Sequence, residues 1–87
     1  MKNYWSKIME AYIVLLGRAG LEYYNNKGLK YFVDSELCVG DDYDYAIYVD
    51  SINSIDSDVI LSKDEKIQIA EEVLLLCQAK GMKPRLF

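Results

Sequence analysis

Leu21-Glu-Tyr-Tyr-Asn-Asn-Lys-Gly-Leu-Lys-Tyr-Phe-Val33 is the stretch whose reading decides the fold. Two β-prone runs flank four turn-formers, Asn25-Asn-Lys-Gly28. Gly28 is free to take a positive φ, and both asparagines tolerate one. In the second arm Leu29, Tyr31 and Val33 alternate with Lys30, Phe32 and Asp34, so one face is the more apolar. The spacing predicts a β-hairpin over residues 21–34 with that face turned to a core.

Upstream, two patterns compete. Trp5, Ile8, Met9, Tyr12, Leu15 and Leu16 fit a helical stripe, whereas Ala11-Tyr-Ile-Val-Leu-Leu16 is rich in β-formers and runs into Gly17 and Gly20. A strand over 10–16 is expected, after an irregular or helical lead-in. Downstream, Asp34-Ser-Glu-Leu-Cys-Val-Gly40 carries the chain out of the hairpin. A charged connection, Asp41-Asp-Tyr-Asp44, then leads to a further β-prone run, Tyr45-Ala-Ile-Tyr-Val49. Residues 51–58 read as an irregular link anchored by Ile52 and Ile55, its Ser, Asn and Asp side chains satisfying the local backbone.

Ser62-Lys-Asp-Glu65 is a capping box, and Asp64 and Glu65 suit the positive end of a helix dipole. A helix over 63–80 follows. Ile67, Ala70, Val73, Leu74 and Cys77 line one face, and Leu75 and Leu76 widen the apolar band enough to lay it deep across a sheet. Gly81 ends it and Pro84 prevents its resumption. The tail Lys83-Pro-Arg-Leu-Phe87 is expected to add an edge strand or dock on the core. Strands followed by a helix make an α+β domain: a small antiparallel sheet of three to four strands, packed by one long C-terminal helix, with residues 1–87 as a single domain.

Charge is distributed unevenly. Tyr31 to Ser62 contains no lysine or arginine but holds Asp34, Glu36, Asp41, Asp42, Asp44, Asp50, Asp56 and Asp58. The chain has fourteen acids and ten bases, so the remainder carries six acids and ten bases, or +4 against −8. Crowded acids repel one another and are costly to bury unpaired, so the segment must be well solvated or meet a cationic partner.

Several kinds of chemistry lack their residues. There is no histidine, which removes the commonest general base, nucleophile activator and metal ligand. No Gly-x-Ser-x-Gly, phosphate-binding loop or dinucleotide fingerprint occurs. A calcium loop needs glycine at its sixth position, where Ile47 stands counting from Asp42 and Leu61 counting from Asp56. Two cysteines, Cys38 and Cys77, cannot build a thiolate zinc site or a secreted disulfide framework and read as buried free thiols. No metal, cofactor or catalytic residue is therefore expected.

Arg18, Lys27 and Lys30 beside Tyr23, Tyr24 and Tyr31 resemble a nucleic-acid patch, but the −8 segment outweighs them. The same imbalance argues against a membrane surface. The apolar run 12–16 is too short for a secretory core or a bilayer span, so a cytoplasmic protein is expected. What remains is protein binding. Glu36, Asp41, Asp42, Tyr43, Asp44, Tyr48 and Asp50 combine acids with amphipathic rings, the chemistry of a patch for a basic protein.

Gly20-Leu-Glu-Tyr23, Tyr31-Phe-Val-Asp-Ser-Glu36, Tyr45-Ala-Ile-Tyr48, Asp50-Ser-Ile52, Ser62-x-x-Glu-Lys66, Ile69 and Lys80-Gly81 carry a resemblance over residues 12–85. The chain is similar to small α+β immunity proteins of bacterial polymorphic-toxin and contact-dependent growth-inhibition systems. Ile55 stands where many relatives carry tryptophan. The resemblance implies a non-catalytic protein that binds and blocks one cognate toxin domain. A basic nuclease is the expected partner, and no catalytic residues are carried over. The alternative is a small cytosolic adaptor or housekeeping domain whose acidic segment is merely solvated.

Overall fold

The computed structural model describes residues 10–40 and 42–87. The lead-in 1–9 and Asp41 lie outside the described residues. Among these residues seven strands and one α-helix follow in order: β1 (Tyr12–Leu15), β2 (Leu21–Tyr24), β3 (Lys30–Val33), β4 (Ser35–Leu37), β5 (Tyr45–Ile47), β6 (Asn53–Ser54), α1 (Lys63–Ala79) and β7 (Pro84–Leu86). The fold is α+β, with an antiparallel sheet ordered β1-β2-β3-β6 and the C-terminal helix against it.

The hairpin forms as its residues dictate. Asn25 Oδ1 accepts from the backbone N–H groups of Lys27 and Leu29, each at 2.9 Å, so one side chain holds the loop closed. Gly28 takes φ +84°. Register places Ile13 beside Tyr23 and Tyr23 beside Tyr31, and likewise Leu15, Leu21 and Val33 in a row. These two rows make the inner face. Ile13, Leu21, Tyr23 and Val33 are buried there, with Tyr31 packed against them.

Sequence alone did not indicate a second sheet. Its order is β4-β5-β7, antiparallel between β4 and β5 and parallel between β5 and β7. The chain passes from one sheet to the other at Asp34, a poor strand former between β3 and β4. Ser51 fixes this corner. Its Oγ accepts from Asp34 N–H at 2.8 Å and donates to the Tyr48 carbonyl at 2.6 Å, while Tyr48 N–H bonds the Asp34 carbonyl. The tail therefore supplies a strand, β7, and also docks on the core through Met82 and Leu86.

Strand β5 is buried along its whole length, and α1 bridges the sheets by touching both β1 and β7. The capping box is present: Ser62 Oγ accepts from Glu65 N–H at 3.2 Å and Glu65 accepts from Ser62 N–H at 2.8 Å. At the other end Gly81 N–H reaches the Gln78 carbonyl and Met82 N–H the Cys77 carbonyl, a Schellman closure with Gly81 at φ +86°.

Three expectations on burial need correction. Ile52 is buried, but Ile55 is exposed, because the N–H of Ile55 bonds the Lys30 carbonyl at the sheet margin and holds its side chain at the rim. Cys77 is a buried thiol that burial pushes up to about 11, whereas Cys38 is half-buried on the β4–β5 connection. On α1 only Ala70, Val73 and Cys77 are fully buried, while Ile67 and Leu75 face outward. The helix rides on the sheets by a narrower stripe than its composition suggests.

Ser35 and Tyr45 bury a hydroxyl pair at 2.6 Å between β4 and β5. Tyr45→Phe leaves Ser35 unpaired and is expected to cost about 1–3 kcal/mol. Adding Ser35→Ala should recover part of that loss, because the orphan is removed. A double-mutant cycle in urea giving purely additive losses would show that the two hydroxyls are not coupled.

Candidate functional site: the outer face of the small sheet

Pairing Glu36 with Ala46 and Ala46 with Arg85 sets which side chains share the outward face of the second sheet. Side chains alternate along a strand, so Asp44, Tyr48 and Phe87 flank this row on the same side. Three rings gather there. Phe87 lies 5.3 Å from Tyr43 and 6.1 Å from Tyr48 between centroids, both pairs tilted. The Arg85 guanidinium sits 4.9 Å from the centre of the Tyr43 ring. Phe87 remains 53% exposed, so the cluster is an apolar surface rather than core.

Tyr48 donates to Glu36 Oε1 at 2.6 Å. That bond, followed by desolvation and the Glu36 charge, pushes the phenol up to about 12. The phenol stays neutral at physiological pH. Ring and carboxylate thus form one fixed unit, with the aromatic face presented and the acid group locked beside it.

The remaining acids differ in their roles. Asp42 is exposed, and no other described residue holds its carboxylate by a hydrogen bond or an ion pair. Asp44 is half-buried and structural. Its Oδ1 accepts from Lys83 N–H at 2.8 Å, its N–H donates to the Lys83 carbonyl, and its carbonyl accepts from Cys38 N–H. It ties the β4–β5 loop to the start of β7.

Asp50 lies apart, in the 3-10 turn Val49–Ser51 near the start of α1. Lys63 Nζ reaches it at 2.9 Å, and this hydrogen bond with the lysine charge holds its carboxyl below the usual range. Both side chains are largely exposed, so the pair contributes little stability. It does neutralise one of the acids that the sequence left without a local counter-charge. Arg18 lines a shallow depression with Glu36 and Leu37.

Of the seven residues expected at the site, Glu36, Tyr43, Asp44 and Tyr48 meet on this face with Asp42 at its edge, Asp50 is elsewhere, and Asp41 lies outside the described residues. Sequence reasoning missed Arg85 and Phe87. Their signal was the basic-apolar tail, but only the parallel pairing with β5 brings them to Tyr43 and Tyr48.

Among the described residues no group of three or more carboxylates and thiols is arranged to hold a metal ion. No described helix is long and apolar enough to cross a membrane. No family model, curated protein or solved structure matches this chain.

Proposed function

We propose that the chain is an immunity-type inhibitor, a non-enzymatic cytoplasmic protein that neutralises a cognate bacterial toxin domain by stoichiometric binding. The partner is basic, with a nuclease the leading candidate. The observation that carries this reading is the ring cluster of half-buried Tyr43 and Tyr48 around exposed Phe87, bordered by the carboxylate of Glu36 and the exposed carboxylate of Asp42. Rigid amphipathic rings give binding energy at small entropic cost. Adjacent carboxylates steer a cationic surface and stand where phosphates lie on a nucleic-acid-binding cleft. The likeness to immunity proteins noted over residues 12–85 points the same way. A solubility role for the acidic segment explains the loose acids but not three rings held together on the surface.

On this reading a toxin domain should be encoded next to this chain, and that domain tests the proposal. Equimolar protein is expected to abolish its activity. Glu36→Lys/Asp42→Lys is expected to slow association about tenfold or more at low salt while the fold is retained. Asp44 must be left intact in such a variant, because reversing its charge would also unpin β7. Inhibition unaffected by the two reversals would remove this face from consideration.

A further inference from the structure

Between the hairpin and α1, sharing no residue with the ring cluster, lies an open groove of about 670 Å³. Leu29, Tyr31, Ile69 and Leu75 contribute apolar lining, with Leu29 45% and Leu75 63% exposed. Glu65, Glu71 and Glu72 lie along its helical wall, and among the described residues Lys27 is the one lining cation. Tyr23 donates to Glu72 at the base, and burial with the neighbouring carboxylate pushes this phenol well up. The groove is thus apolar below and lined by carboxylates along one side.

The backbone around the groove restricts what can lie in it. Strands β2 and β3 are paired on both sides, and the α1 backbone is bonded internally, so no free strand edge faces the opening. An occupant must satisfy its own peptide groups, as a helix does. From Glu65 to Leu75 the wall is about 15 Å long at 1.5 Å per residue, which matches nearly three helical turns. A second copy of this chain is a poor occupant, because its own helix would bring the same glutamates against these.

We propose that this groove receives a short amphipathic helix of a partner protein, apolar side chains down and lysines or arginines against Glu65, Glu71 and Glu72. The inference does not depend on the toxin reading, since it concerns a different surface.

A fluorescein-labelled, side-chain-stapled peptide of about three turns, with leucines at i, i+4 and i+7 and lysines elsewhere, is a direct probe. Its twin carries glutamates in place of the lysines. With the full chain, the cationic peptide is expected to raise anisotropy and the anionic twin to fail. Leu75→Asp and Glu71→Lys, both at exposed positions, should each weaken binding about tenfold, near 1.4 kcal/mol. Melting curves establish that both variants are folded, and Tyr48→Ala should leave binding unchanged. Equal binding of the two peptides, or binding indifferent to both groove variants, would overturn the proposal. So would a concentration-dependent dimer abolished by Leu75→Asp, which would assign the groove to a second copy.

Discussion

Gly20→Ala is expected to lower stability by about 3 kcal/mol or more, among the largest effects of any single substitution in this chain. Gly20 sits between the 3-10 turn Gly17–Ala19 and β2 with φ +105° and ψ −146°, a region that L side chains almost never enter. A Cβ there would lie 2.7 Å from the Val33 carbonyl oxygen and 3.1 Å from the Phe32 ring. Val33 belongs to β3, which is bonded on both sides within the four-stranded sheet, so its backbone has little room to retreat. Conformational strain and collision therefore add. In a domain of this size 1 kcal/mol shifts the melting temperature by about 4–8 °C, so a fall of roughly 12–24 °C is expected. Gly28→Ala is the control: its φ is also positive, but nothing stands within 4 Å of the added methyl, and a loss of only about 1–2 kcal/mol is expected. Equal losses at the two positions would show that the close approach of Gly20 to β3 is not what constrains that residue.

The second large effect is on binding. Phe87→Ala is expected to weaken partner affinity by about 2 kcal/mol or more, roughly thirtyfold, while the protein remains folded. The backbone of residue 87 is held independently of the ring, by Phe87 N–H to the Ile47 carbonyl at 2.8 Å and Val49 N–H to the Phe87 carbonyl at 3.0 Å. The ring, by contrast, is the shared neighbour of Tyr43 and Tyr48, and its removal breaks the apolar surface in two. Calorimetric titration with the proposed toxin partner reads the affinity, and thermal melting reads the fold. Affinity kept within threefold, with a native melt, would mean that the rings do not anchor the partner.

How far these features could be read from the sequence depends on how local their causes are. The hairpin, the capping box and the Gly81 stop are each set by four to six neighbouring residues, and all three stand where those residues indicated. The strand expected over 10–16 appears as Tyr12–Leu15 for the same reason.

The second sheet was hidden because its defining pair, β5 with β7, joins segments whose link through Asp44 and Lys83 spans 39 positions. No turn chemistry announces such a parallel pairing. Asp44 shows the limit at the candidate site. Among neighbouring acids it reads as surface charge, yet its oxygen is the acceptor for a distant backbone amide. Composition likewise placed Ile55 and Leu75 inward, and only the path of the backbone shows that they sit at margins.

The central claim is that the outer face of the small sheet is the surface a basic toxin domain occupies. Amide hydrogen exchange of the chain alone and with the proposed toxin partner tests it most directly. The account predicts added protection in 35–37, 42–48 and 84–87, with hairpin residues 25–29 unchanged. Protection confined to the hairpin and α1, or absent throughout, would contradict it.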